Sequence, residues 1–295
     1  MVLYSRKKKH QHLYIRDSHG RHGTLLNYFL YTMGIPEKDA CNVFIRTLQG
    51  SIVKTLIDCL KDIVFEQCFT ISPEGIKSTT MDASKMSLVY LKLNAKNFEE
   101  YMCTKPSTIG ISMQGFHKLL KSLTSNDVLT LFIEKSNEHE LGIAIENVEK
   151  KSCTVFRLKL LDMNHSDISI PSIEFDRVVR VPSTAFHRLC RDMSHLSPFV
   201  RIRSYPESLE LFCNGDFASQ ETTLGGATDI NITENTSNDI IDALYSLKYL
   251  TLFGRASNLG TTMSLFIKKE HPLVLEYEAG SLGMLKFLLT PSEDN

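Results

Sequence analysis

No stretch of this chain is apolar for long enough to cross a membrane as a helix. The longest such run, 25–35, is interrupted by Asn27, Thr32 and Gly34 and falls well short of the roughly 20 residues that a span requires. The basic start Arg6-Lys7-Lys8-Lys9 leads into polar, histidine-rich sequence and not into an apolar segment, so no secretory signal is visible and an intracellular site is expected. None of the seven cysteines (Cys41, Cys59, Cys68, Cys103, Cys153, Cys190, Cys213) forms a C-x-x-C pair, and their number is odd. This argues against a disulfide framework or a zinc knuckle and leaves them as small hydrophobes in a reducing compartment.

Signatures of catalysis are missing too. His139-Glu140-Leu141-Gly142-Ile143 opens like a zincin helix but lacks the second histidine, and 110–115 is one residue too long for a nucleophile elbow. Nothing matches the phosphate-binding G-x-x-x-x-G-K-[ST] loop. Asp192 and His195, three residues apart, suit a local hydrogen bond better than a catalytic dyad. The expectation is a protein that is not an enzyme and that uses neither cofactor nor metal.

The 295 residues are 42% hydrophobic and 23% charged, which allows real cores in about two domains. The formal net charge of -1 is unevenly spread. Six cations face one acid in residues 1–23, a net of +5, so the remaining 272 residues carry -6. Local potential and not the total steers a polyanion, so the placement of the lysines decides whether nucleic acid can bind.

Residues 1–40 read as a basic, flexible appendage, since the apolar 24–33 ends at Gly34-Ile35-Pro36. From there a strand at 43–48 precedes a helix with Ile52, Val53, Leu56, Ile57 and Leu60 at helical spacing. Short strands lead to a second helix at about 114–123, and strands at 128–135, 140–147 and 154–161 follow. The order then recurs: a strand at 177–181, a helix at 183–193, a hairpin at 199–214, a fourth helix at roughly 240–254, and strands at 262–269 and 273–278. This is a duplication at about 130 residues, suited to two copies of one α+β domain, 41–161 and 177–291, joined by an exposed connector at 162–176 and ending in a short tail, 292–295.

The four helices share one feature. Lys54 and Lys61 lie seven residues apart, opposite Leu56 and Leu60; His117, Lys118 and Lys121 project together; the third helix offers His187, Arg188 and Arg191; the fourth offers Lys248 and Arg255. A single charged face is usually only a solvated one. Four basic faces in a chain of net -1 suit phosphate contacts that position a protein without reading sequence.

The strings Leu48-Gln49-Gly50-Ser51-Ile52, Met81-Asp82-Ala83-Ser84, Leu158-Lys159-Leu160-Leu161-Asp162, Ile168-Ser169-Ile170-Pro171, Phe186-His187-Arg188-Leu189-Cys190-Arg191-Asp192-Met193 and Pro272-Leu273-Val274-Leu275-Glu276-Tyr277 resemble the proliferating cell nuclear antigen (PCNA) family of DNA sliding clamps. The resemblance runs in order over about 43–291. It implies a head-to-tail homotrimeric ring of two similar domains per chain, with helices lining the pore and antiparallel sheets outside. Carried over by position, Lys54, Lys61, Lys118, Lys121, Arg188, Arg191, Lys248 and Arg255 match pore positions that face DNA. The partner pocket would comprise Met81, Lys85, Met86, Leu88, Ile168, Ile170, Pro171, Phe175, Pro272, Leu288, Leu289, Thr290 and Pro291. It would receive a short helix carrying a glutamine, an aliphatic residue and two aromatics.

The chain also departs from the family. Lys85 stands where the family often has histidine, Leu288 where it often has tyrosine, Thr55 in place of a pore lysine, and Pro206 in place of a lysine that takes ubiquitin in many clamps. Residues 1–40 have no counterpart, although the segment from His22 through Leu25 to Tyr28-Phe29 has the spacing of a clamp-binding peptide. The implied function is a ring that encircles double-stranded DNA at sites of replication and tethers DNA polymerase and repair enzymes, opened by a clamp loader and requiring no membrane. The rival is an interaction hub of the same fold that acts as a monomer or mixed-ring subunit without encircling DNA. The full set of basic helix positions counts against that rival.

Overall fold

The computed structural model describes residues 14–16, 22–24, 34–147, 149–163, 168, 173–225, 231–235 and 239–293. The chain divides into two compact units that do not follow the halves of the duplication. The first comprises residues 1–50, 98–105 and 123–160; the second comprises the remainder.

The first unit is built on a five-stranded antiparallel sheet, in spatial order Ser152–Lys159, Asn137–Asn147, Asp127–Glu134, Cys41–Thr47 and Glu100–Cys103. Its buried side chains include Ile35, Cys41, Phe44, Phe132 and Ala144, with Met102, Cys153 and Val155 packed against them. Ile35 is only 1% exposed, and burying such a side chain contributes about 1.5–3 kcal/mol. The stretch read as an appendage therefore supplies a core residue before its first 40 residues are over. A short 3-10 turn, Lys38–Ala40, then leads into the first long strand.

In the second unit a nine-stranded sheet runs through both halves of the sequence. Its order is Asn231–Asn235, Arg177–Pro182, Thr262–Ile267, Leu273–Ala279, Gly283–Leu289, Ser87–Asn94, Gly75–Met81, Glu66–Ser72 and Ser107–Ser112. The halves join where Gly283–Leu289 pairs antiparallel with 87–93. Glycine is required there, because a β-carbon on Gly283 would lie 2.0 Å from the carbonyl oxygen of Lys92. A separate four-stranded sheet orders Ser219–Gly225, Ser208–Asn214, Phe199–Ser204 and Ile241–Ser246.

Among the described residues four α-helices belong to this architecture: α1 (Gly50–Leu60), α2 (Met113–Leu120), α3 (Ser183–Ser194) and α4 (Leu247–Phe253). Each buries residues three or four apart, as in Met113, Phe116 and Leu120 or Phe186, Cys190 and Met193. The Ser112 hydroxyl caps α2 by accepting from the Gly115 N–H at 3.3 Å. The fourth helix is shorter than its periodicity suggests. Residues 241–246 form a strand, in which Ile241 and Tyr245 are buried and the backbone pairs with Phe199–Ser204. Partnership with a sheet edge overrides the local helical spacing there.

Buried in the second half, Arg177 donates to the carbonyls of Ser204 and Asp239. Burial pulls its pKa down, while Asp176 and Asp239 push the other way.

Candidate functional site

All eight cations assigned to the pore fall in the second unit. Lys54 Nζ on α1 donates to the Lys121 carbonyl at 2.9 Å, Gln114 Nε2 on α2 donates to the Lys61 carbonyl at 3.3 Å, and His117 Nε2 lies 3.0 Å from Asp58. The turn after α4 pairs Arg255 with Asp62, which follows α1. On its other side that turn meets α3, where a β-carbon on Gly254 would come within 2.2 Å of the His187 ring. The helices are thus linked in the order α2, α1, α4, α3. Lys118, Lys121, Arg188, Arg191, Lys248 and Arg255 are exposed, and Lys54 is half-buried.

Three acids share this layer. Lys61 lies 3.0 Å from Asp58 and 2.8 Å from Asp62, while Arg188 and Arg191 reach Asp192 at 3.7 and 3.8 Å. Asp192 therefore serves two arginines, and His195 meets it only through the backbone, its N–H donating to the Asp192 carbonyl at 3.3 Å. His187 is no part of the cationic face: burial, and then the neighbouring Arg191, push its pKa down, so the imidazole is neutral at neutral pH. Spacing reveals Asp58 with Lys61 and Arg188 with Asp192; nothing local reveals Asp62 with Arg255.

The partner-site residues converge on the nine-stranded sheet. Met81 lies opposite Leu88, Leu88 opposite Leu288, Leu288 opposite Val274 and Val274 opposite Phe266. Directly opposed residues share a face, so these five make one apolar row across five strands. Met81 is 40% exposed, and Leu88, Leu288 and Phe266 are half-buried. Phe175 extends the row by packing on Phe266, with ring centroids 5.2 Å apart. Pro272, Thr290 and Pro291 are half-buried, as is Ile168. Leu289 differs: alternation turns it to the opposite face with Phe287 and Leu285, where it is fully buried. Ile170 and Pro171 lie outside the described residues.

The turn between Gly75–Met81 and Ser87–Asn94 forms one end of the row. Lys85 is exposed with φ +60°, and its N–H donates to the Asp82 carbonyl at 3.0 Å. Met86 is held through its carbonyl, which accepts from the Thr290 N–H at 3.1 Å and from the Thr290 hydroxyl at 2.9 Å.

Residues 44–168 match the proliferating cell nuclear antigen N-terminal domain and residues 169–292 match the C-terminal domain. The chain belongs to the PCNA family of sliding clamps. Among its relatives is the probable DNA polymerase sliding clamp 1 of Paramecium bursaria Chlorella virus 1, 38% identical over 251 residues that span 84% of this chain and 95% of the relative. Both family matches lie beyond the first 40 residues.

Proposed function

We propose that the protein is a DNA sliding clamp, a ring of three copies that closes around duplex DNA and tethers a polymerase to it. One observation carries this reading: four linked helices bring eight lysines and arginines into one layer, six of them exposed on or directly after α2, α3 and α4 and the half-buried Lys54 and Lys61 on and after α1, in a chain whose total charge is -1. Flexible cations without base-reading side chains exchange readily between phosphates, so affinity is modest, salt-sensitive and indifferent to sequence. Asp58, Asp62 and Asp192 weaken the attraction further, which favours sliding over arrest. Retention then comes from closure of the ring and not from affinity.

The apolar row from Met81 to Phe175 is the proposed docking site for a short amphipathic partner helix on the polymerase and on other replication or repair enzymes. A clamp loader, as the agent that opens a closed ring, belongs to the same reading, and so does action at sites of DNA replication.

The test is topological. Protein placed on nicked circular duplex should survive a high-salt wash and be lost once the circle is cut, while light scattering at micromolar protein should give three times the chain mass. Equal loss from circle and line, or monomer alone, would overturn the reading.

A further inference from the structure

Asp82 opens the turn beside the apolar row and is only 8% exposed. Its carboxylate accepts from the Ser87 N–H at 2.7 Å, the Ser84 N–H at 3.1 Å, the Ser84 hydroxyl, and the phenol of Tyr249 at 2.7 Å. Tyr249 is 167 residues away in sequence, on α4. Its oxygen also lies 2.5 Å from the Ser84 hydroxyl, which closes a triangle of Asp82, Ser84 and Tyr249. Burial pushes the Asp82 carboxyl up, but the bonds from Ser84, Ser87 and Tyr249 outweigh it and hold the group at about 2. An ionised carboxylate with this many donors is a rigid anchor, because charge-assisted hydrogen bonds are stronger than neutral ones.

The anchor sits between two apolar contacts of the row. Met81 precedes Asp82, and Leu88 follows Ser87, whose N–H and carbonyl both bond back to Asp82. Within the same turn, Lys85 holds a left-handed conformation that side chains other than glycine adopt rarely. Such a turn needs external bonds to stay in one shape. Tyr249 supplies one of them from a different element, and it is itself fixed: its ring lies 6.0 Å from Phe253, which stacks on Phe287 at 4.4 Å, directly beside Leu288 in the next strand of the row.

We propose that Tyr249 is a positioning residue for partner binding: its hydroxyl, through Asp82 and Ser84, holds the 82–87 turn in the shape that presents Met81, Met86 and Leu88 to a partner helix. The residue that follows the pore cation Lys248 in α4 thus sets the geometry of the docking row. This inference rests on the reading of that row as the partner site.

The experiment measures the affinity of the full-length protein for a synthetic peptide with glutamine at position 1, an aliphatic residue at 4 and aromatics at 7 and 8. Tyr249→Phe keeps the ring and removes only the hydroxyl. Losing a hydrogen bond to a charged, buried acceptor should weaken peptide binding about 5- to 30-fold, by faster dissociation, with an unchanged salt slope for duplex DNA. In an Asp82→Asn background the same substitution should cost less than half as much on a logarithmic scale, since the two act through one triangle. A merely structural tyrosine would lower thermal stability and leave peptide affinity intact, or would add its full effect in the double variant; either result overturns the proposal. Leu88→Asp separates the two readings. If it leaves the peptide bound, the row is not the partner site; if it abolishes binding while Tyr249→Phe does nothing, only the positioning role fails.

Discussion

Ser152–Lys159 and Ser219–Gly225 lie at the edges of their sheets, and the duplication states how they should meet. Gly110 bridges Leu161 as Leu244 bridges Ser292, which aligns Leu161 with Ser292 and hence 152–158 with 283–289. Cys68 faces Gly110 as Arg201 faces Leu244; following both registers outward aligns 88–94 with Ser219–Gly225. Within the chain Leu285 pairs with Leu91 and Phe287 with Val89. By equivalence, Thr154 should lie opposite Thr222 of a second copy and Phe156 opposite Gln220. Opposed α-carbons in an antiparallel pair are about 4.5–5.5 Å apart, inside the roughly 4.4–6.8 Å window of a disulfide. A slip of two residues moves the pair by about 6.8 Å and closes that window. Thr154→Cys with Thr222→Cys, oxidised gently, should therefore give a covalent trimer on a denaturing gel, and neither single variant should. Background from Cys153 is small, because burial first, then Glu146, pushes its thiol up to about 11 and leaves little thiolate near neutral pH. The seven residues of Ser219–Gly225 offer about seven backbone bonds at about 0.5–1.5 kcal/mol each, against an association cost of about 4–15 kcal/mol. Backbone pairing alone sits near balance, so Phe156 and Leu158 must tip it, and Phe156→Ser should give monomers at micromolar protein. Cross-linking only in another register, or none in a trimeric protein, would refute the equivalence.

Three further outcomes are expected. Lys118→Glu with Lys121→Glu, both exposed, should lower the slope of log affinity against log salt by about 1.8 if each meets a phosphate and abolish polymerase stimulation; unchanged stimulation by intact rings would remove α2 from the pore. Asp62→Asn should release Arg255 and leave Lys61 with Asp58 alone, and so raise duplex affinity at low salt, with the gain fading as salt rises; anisotropy titrations at two salt concentrations read this directly. Asp82 is held at about 2, below its unfolded value of about 3.9, so it contributes stability above pH 4 that disappears as pH falls through 2. Asp82→Asn should therefore cost about 2 kcal/mol at pH 7 and little near pH 2, measured by urea unfolding, and an equal cost at both pH values would show that its ionisation is not what stabilises the turn.

The helices and their basic faces are legible in the sequence because they are local: a cation and the apolar residue opposite it stand within two turns of each other. Helical spacing continues back over 241–246, where Ile241, Leu244 and Tyr245 fit it, but the strand that claims them, Phe199–Ser204, lies some forty residues earlier. Ile35 escaped for the same reason, since its partners Phe44, Phe132 and Ala144 reach it only once the sheet has formed. Asp62 with Arg255 and Asp82 with Tyr249 are more distant still, at 193 and 167 residues.

The proposed docking row separates what periodicity contains from what register adds. Along Gly283–Leu289, Leu285, Phe287 and Leu289 share one parity and are buried, whereas Leu288 has the other and is half-buried. Parity alone is therefore enough to assign Leu289 to the core, against the place in the partner pocket that the family resemblance implies for it. Parity could not make a site of Leu288. A half-exposed leucine on one strand is ordinary. It gains meaning because the register sets Leu88 on one side of it and Val274 on the other, and because Met81 and Phe266 continue the line. A shift of one residue in any of these pairings would turn that strand's contribution inward. The backbone pairing that fixes the register, with the bonds from Thr290 to Met86 at one end of the row, is for that reason as much a part of the proposed docking site as the side chains that a partner would touch.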